Sequence, residues 1–154
     1  MANPIQVAKM VATIVNGGEV VQPMLLEGIS DDTGTQFAEK TEPLAKLRVF
    51  SEKTAQRLQQ DMRAVVEEGS GKRARPAYGI AGGKTASAQT GQYNADGKEI
   101  VHAWFTGFCS NTETPKYVVI VFNEGGESGA LTSGPIFKRI ATFLYDFEEA
   151  RSDR

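Results

Sequence analysis

Apolar positions recur at two spacings along the chain, and the change from one to the other divides it. Ile5, Ala8, Val11, Ala12 and Val15 return at helical intervals after Asn3-Pro4, a capping residue with proline at the first helical position, and Gly17-Gly18 stops the run. This predicts a first helix. Residues 20–26 form an apolar stretch interrupted by Pro23, the pattern of a short edge strand. Residues 30–43 are polar and lack any apolar period, which predicts an exposed loop or weak hairpin. Ser51 can cap a second helix, with Glu52 in its first turn and Leu58, Met62, Val65 and Val66 as one stripe, ended by Gly69-Ser70-Gly71.

From Tyr78 the texture changes to strand-like segments at residues 78–89, 100–108 and 117–122, with Asp96-Gly97 as a turn signal between the first two. An antiparallel meander follows from that order. The uninterrupted apolar run from Val118 to Phe122 is the pattern of a strand covered on both faces. A Gly/Ser-rich loop over 125–134 leads to Ser133, Pro135 and the stripe Ile136, Ile140, Phe143, Leu144, Phe147, a final amphipathic helix. The fold class predicted is α+β, a small antiparallel sheet of three main strands with packed helices.

Composition narrows the chemistry. The 154 residues, 40% of them apolar, amount to one domain's worth of chain. At this size roughly 70% of the unfolded surface can be buried, so neither a disulfide nor a metal is needed to hold the fold. One cysteine and one histidine, Cys109 and His102, exclude an internal bridge and a structural zinc site of the usual ligands. No cofactor or metal is expected. A net charge of −2 with a single short basic cluster, Lys72, Arg73 and Arg75, gives no case for nucleic acid as a partner. No run approaches the roughly 20 apolar residues that span a bilayer and Met1 begins no signal peptide, so the chain as given reads as soluble.

The segment richest in chemistry is Gly82-Gly83-Lys84-Thr85-Ala86-Ser87-Ala88-Gln89. A phosphate-binding loop would need its first glycine at position 78, which is Tyr78, and a helix after Thr85, where no helical period exists. The other chemistry that wants this string is the Lys-Thr-Gly box of penicillin-binding serine acyl-transferases. On a strand, Lys84 and Ala86 share one face while Thr85 and Ser87 share the other. A carboxylate along that edge would meet two hydroxyls beside a fixed cation, and the Ser87 N–H could serve as an oxyanion donor.

The surroundings resemble the C-terminal part of the transpeptidase domain of penicillin-binding proteins, over nearly the whole chain. Asn3-Pro4-Ile5-Gln6 running to Ala12-Thr13-Ile14-Val15-Asn16-Gly17-Gly18 is similar to the family's Pro-x-Gln helix ending in Asn-Gly-Gly, and Pro23 falls where the family has a proline. Val65-Val66 with Gly69-Ser70-Gly71 resembles the helix ending in Val-Val and Gly-Thr-Gly. Gly83 to Gln89 resembles Gly-Lys-Thr-Gly-Thr-Ala-Gln, Ala103-Trp104-Phe105-Thr106-Gly107-Phe108 the Ala-Trp-Phe-x-Gly-Phe strand beside it, and Pro135-Ile136-Phe137 the start of the last helix.

The resemblance implies roles. Lys84 would supply the positive field and help proton transfer. Thr85 and Ser87 would bind the terminal carboxylate of a D-alanyl-D-alanine stem peptide or of a β-lactam, and the Ser87 N–H would complete the oxyanion hole. Trp104 and Phe105 read as packing residues, His102 as an exposed strand-end residue, and Cys109 as a small buried hydrophobe with no base partner.

Two departures qualify the match. No serine here has a lysine three residues on, so the family's Ser-x-x-Lys nucleophile is missing, and so is its Ser-x-Asn box. Losing such a nucleophile lowers turnover about a millionfold, so this chain alone is expected not to acylate. The missing motifs precede Asn3 in the family order, and residues 1–154 are therefore expected to be a single incomplete domain, the downstream portion of a longer one. A sheet edge left bare by the missing part would be open to self-association. The second departure is Ala86 in place of the box's glycine, a methyl that would narrow the site. The parent is expected at the extracytoplasmic face of a bacterial cell membrane. A non-catalytic peptidoglycan- or protein-binding module, or a fragment of a β-lactamase or penicillin-sensing domain, is the alternative.

Overall fold

The computed structural model describes residues 2–25, 28–30, 37–40 and 47–152. Helix α1 spans Pro4–Val15, and Asn3 caps it reciprocally: its side chain accepts from the Gln6 N–H while the Gln6 side chain accepts from the Asn3 N–H. Gly17 and Gly18 take positive φ as the chain leaves α1, and a Cβ on Gly18 would sit 2.3 Å from the Phe50 carbonyl.

No strand forms over 20–25, contrary to the sequence pattern, and Leu26 lies outside the described residues. Among the described residues the only ladder pairing near this segment is an isolated bridge between Glu19 and Arg48, beside which the Val20 N–H donates to the Leu47 carbonyl, and Pro23 has no N–H to give. Gly28–Ser30 (β1) and Phe37–Lys40 (β2) pair antiparallel, so the hairpin option holds for the polar segment, whose positions 31–36 and 41–43 lie outside the described residues.

Helix α2, Glu52–Glu67, is capped as anticipated, with Ser51 Oγ accepting from the Thr54 N–H at 3.1 Å. Ala55 and Val66 are its fully buried residues, whereas Leu58, expected inside, is exposed. A short 3-10 turn, Lys72–Ala74, then leads to the meander of β3 (Ile80–Tyr93), β4 (Glu99–Ser110) and β5 (Tyr117–Gly126) in the order β3-β4-β5. Asn94 builds the predicted turn by accepting from the Asp96 and Lys98 N–H groups, and Gly97 takes φ 75°.

Strand alternation sorts the sheet into two unequal faces. Ala81, Phe105, Cys109 and Val121 form the core with Phe137, Ala141 and Tyr145 of helix α3, Gly134–Ser152. The final stripe is therefore rotated from the predicted one: Phe143 and Phe147 are exposed, and Tyr145 is fully buried with its hydroxyl donating to the Ile80 carbonyl at 2.7 Å. The opposite face, carrying Trp104, Thr106 and Phe122, is approached by α1. Its cover is partial, so the run from Val118 to Phe122 is not buried throughout; only Val121 is, and Phe122 is 36% exposed. A five-residue π-helical turn, Gly129–Ser133, joins β5 to α3. No described helix is long and apolar enough to cross a membrane.

Candidate functional site

Strand β3 is an edge: it pairs with β4 on one side, and its other side is open among the described residues. An edge strand presents N–H and C=O groups that an extended peptide can pair with. The four residues of interest sit in mid-ladder, Lys84 opposite Thr106, Thr85 opposite Phe105, Ala86 opposite Trp104 and Ser87 opposite Ala103. The alternation inferred from sequence thus holds, with Lys84 and Ala86 on one face and Thr85 and Ser87 on the other.

Aromatic rings explain the glycine pair before the lysine. A Cβ on Gly82 would lie 2.4 Å from the Phe108 ring, and one on Gly83 would lie 2.6 Å from the Phe105 ring. Those rings from β4 reach close over β3 where it has no side chains. Lys84 is the first residue past them and is exposed; its Nζ donates to the Thr85 carbonyl at 2.7 Å.

Each hydroxyl on the other face has a partner from a different element. Thr85 Oγ1 lies 3.0 Å from Ser70 Oγ, in the turn that closes α2, and Ser87 Oγ accepts from the Gly129 N–H at 3.3 Å. Sequence reading attached no site role to Ser70 or Gly129. The only available signal was their flanking of tight, glycine-rich turns, which by itself reads as helix termination or loop.

On the face of Lys84 and Ala86, the sheet and the start of α1 enclose an open cavity of about 830 Å³, floored by Ala86, Ala88, Trp104 and Phe122. Trp104 is tilted against Phe122 with centroids 4.3 Å apart, so it walls this cavity, while Phe105 lies in the core as a packing residue should. His102 is half-buried, its ring edge-on to Phe122 at 5.3 Å, which corrects the exposed strand-end reading: the neighbouring aromatic covers it. Among the described residues, its Nδ1 and the Thr106 Oγ1 are buried without a hydrogen-bond partner, and both residues line the cavity. The methyl of Ala86 points into this space, on the side of Lys84.

Cys109 is fully buried and burial pushes its thiol up to about 11, in keeping with the inert role expected of it. The site therefore offers one ammonium, two held hydroxyls and a free strand edge. That set suits the recognition of an extended chain ending in a carboxylate, and it contains no activated nucleophile.

Known proteins share this chain's sequence pattern and fold. The chain matches the penicillin binding protein transpeptidase domain over residues 1–142. It is 31% identical to the peptidoglycan D,D-transpeptidase MrdA of Haemophilus influenzae, covering 92% of this chain and 23% of that protein. It is 28% identical to the peptidoglycan D,D-transpeptidase FtsI homolog of Mesostigma viride, over 92% of this chain and 26% of the other. Among solved structures, penicillin-binding protein 3 of Mycobacterium tuberculosis in complex with aztreonam superimposes with a TM-score of 0.75 at 28% identity, covering 92% of this chain and 34% of that one. The chain spans about a quarter of the length of the curated relatives it matches. With the Lys84 strand, the strand beside it and the final helix all in the order that the sequence motifs anticipated, the chain belongs to the penicillin-binding protein transpeptidase domain family.

Proposed function

We propose that this chain is one part of a peptidoglycan D,D-transpeptidase domain and that β3 forms one wall of its acyl-transfer cleft. The observation that carries the reading is the row Lys84-Thr85-Ala86-Ser87 on an open sheet edge, with both hydroxyls on one face and held by neighbouring elements. The substrate class is a peptidoglycan stem peptide ending in D-alanyl-D-alanine, and β-lactams occupy the same cleft. The names of the relatives, among them a structure complexed with aztreonam, support both.

In this reading Thr85 and Ser87 donate to the terminal carboxylate, and Lys84 adds the field of its ammonium and assists proton transfer. The contact from Lys84 Nζ to the Thr85 carbonyl supports a strand orientation in which odd-numbered residues turn their backbone groups to the open edge. The Ser87 N–H then faces the cleft as an oxyanion donor. Removing one such donor costs roughly 2.7–4 kcal/mol of transition-state stabilisation in other acyl-transfer enzymes. The Ala86 methyl lies on the Lys84 face, opposite the two hydroxyls, and narrows the cavity on that side.

The nucleophilic serine comes from a part of the domain with a Ser-x-x-Lys motif, which residues 1–154 do not contain. Its oxygen attacks the penultimate carbonyl carbon, the amide bond breaks, and the proton leaves on the departing D-alanine amine. A second amine then takes the acyl group and the proton returns to serine. Such an enzyme works at the extracytoplasmic face of a bacterial cell membrane.

Labelling with a fluorescent penicillin tests this. The 154-residue chain is expected to remain unlabelled, and the chain joined to a preceding segment bearing Ser-x-x-Lys is expected to label covalently. Labelling of the 154-residue chain alone would overturn the assignment of the nucleophile elsewhere. An unlabelled joined protein would favour a non-catalytic binding module, and rapid release of hydrolysed penicillin would favour a β-lactamase.

A further inference from the structure

We propose that Ser70 and Gly129 are positioning residues that can donate to the Thr85 and Ser87 hydroxyl oxygens, so that both hydroxyls can turn their own protons toward an anionic group at the β3 edge. The proposal rests on the carboxylate-binding reading above and names what enforces it.

A hydroxyl can accept at its oxygen while donating its own single proton, and which partner receives that proton depends on what else surrounds it. For Ser87 the neighbour is unambiguous. Gly129 offers a backbone N–H, which can only donate, and it is aimed at Ser87 Oγ from 3.3 Å. The oxygen is thus used as an acceptor and the Ser87 proton is left to point elsewhere. For Thr85 the partner is the Ser70 hydroxyl at 3.0 Å, and either oxygen can be the donor. A carboxylate in the site decides the direction: it accepts the Thr85 proton, so Ser70 donates into Thr85. The result is two chains of donors, Ser70 to Thr85 to carboxylate and Gly129 to Ser87 to carboxylate, in which each hydrogen bond polarises the next.

Both positioning groups are held by tight backbone packing. Gly71 N–H bonds back to the Val65 carbonyl at 2.9 Å, and a Cβ on Gly69 would come within 2.9 Å of Val65 Cα, so glycines on either side let the turn fold down on α2 and bring Ser70 to β3. Gly129 is buried and lies closer still: its Cβ would be 2.3 Å from the Trp104 carbonyl oxygen and 2.6 Å from that of Ala86. Only glycine lets that N–H reach Ser87. The loop around it is braced by Ser128 Oγ accepting from the Leu131 N–H at 3.1 Å and Thr132 Oγ1 accepting from the Glu127 N–H at 2.9 Å. Ser70 itself is exposed and fills no core space, so a directional hydroxyl is what distinguishes it from alanine there.

The test compares two probes on the 154-residue chain: an N-acetylated tripeptide ending in D-alanyl-D-alanine with a free carboxylate, and the same peptide as its C-terminal amide. Affinities are read from amide chemical-shift titrations, and urea midpoints are measured alongside. The parent chain is expected to prefer the acid. Ser70→Ala is expected to weaken acid binding about three- to tenfold, the worth of one net hydrogen bond, with amide binding and the urea midpoint unchanged. Ser70→Thr should restore acid binding. A parent that binds acid and amide equally, or neither, would overturn the carboxylate reading and this inference with it. A parent that prefers the acid, with Ser70→Ala doing the same or weakening both probes alike, would overturn the positioning role alone.

Discussion

Gly83→Ala tests the packing that seats Lys84 at the strand edge. The added Cβ would lie 2.6 Å from both Cε1 and Cζ of Phe105 and 2.8 Å from the Thr106 carbonyl oxygen. Phe105 is fully buried against Phe137, at 4.6 Å between centroids, so its ring has no vacant space into which to retreat. Overpacking of this kind costs about 1–3 kcal/mol. At about 2–4 °C per kcal/mol for a chain of this size, Tm should fall by roughly 2–12 °C. Phe105→Leu removes the two ring atoms that clash, at a cost below the roughly 3–5 kcal/mol of a Phe→Ala change.

The double variant separates the causes. If the ring is the obstacle, Gly83→Ala costs less in the Phe105→Leu background, and the cycle shows a favourable coupling of about 0.5–3 kcal/mol. Recovery should be partial, because the Thr106 carbonyl is backbone and stays where it is. Urea unfolding gives each ΔG, and an unchanged m-value keeps the comparison two-state. Additivity within about 0.5 kcal/mol, or a Gly83→Ala midpoint equal to the parent's, would refute the account of why glycine precedes Lys84.

Three other outcomes follow from the same geometry. Glu148 is held below the usual carboxylate range by hydrogen bonds from Lys116 first and Tyr117 second. Its lowered folded value means that it stabilises above the unfolded pKa and that this contribution is lost as pH falls through the folded one. The Tm gap between parent and Glu148→Gln should therefore be present at pH 7 and shrink in acid; a gap that is constant with pH counts against the pairing. Cys109, with its thiol pushed up to about 11 by burial, should resist a disulfide reagent at pH 8 in the folded protein and react at once in urea, and fast native labelling would contradict its burial. Ser51→Ala should cost about 1 kcal/mol in urea unfolding by removing the acceptor of the Thr54 N–H, with Ser51→Asp retaining most of it.

What was legible in the sequence differs from element to element for physical reasons. α1 and α2 carry their own start signals, Asn3-Pro4 and Ser51, whose side chains cap within three residues, so local chemistry suffices. The meander was legible because short strand-like segments, the later two rich in β-branched and aromatic residues, are set apart by turn signals such as Asp96-Gly97. α3 was legible as a helix but not in its rotation. Apolar residues occupy so much of its circumference, with Ile136, Phe137, Ile140, Phe143, Leu144 and Tyr145 in succession, that periodicity admits two stripes. The buried one is decided by the Ile80 carbonyl waiting for the Tyr145 hydroxyl, 65 positions away. Residues 20–25 kept the apolar content of a strand, but among the described residues their ladder does not extend past the Glu19–Arg48 bridge and the Val20 N–H to Leu47 carbonyl bond, and apolarity without a continuing ladder does not make a strand.

The candidate site divides along the same line. Lys84, Thr85, Ala86 and Ser87 are consecutive, and strand geometry alone assigns their faces, so the chemistry-bearing residues could be named from a string of four. Their partners could not. Ser70 stands 15 positions before Thr85, and Gly129 stands 42 after Ser87. Gly129 acts through a backbone N–H that every residue except proline possesses, so its only mark in the sequence is the absence of a side chain, shared with 15 other glycines in a total of 16. The distance of a hypothetical Cβ from two carbonyl oxygens is what singles it out. A strand with the right letters but without those two supports would still carry its hydroxyls, free to turn their protons to water. In the reading proposed above, carboxylate recognition at this edge is a property of three elements packed together, β3 with the turn after α2 and the loop before α3, and variants in either support should alter it while leaving all four strand residues in place.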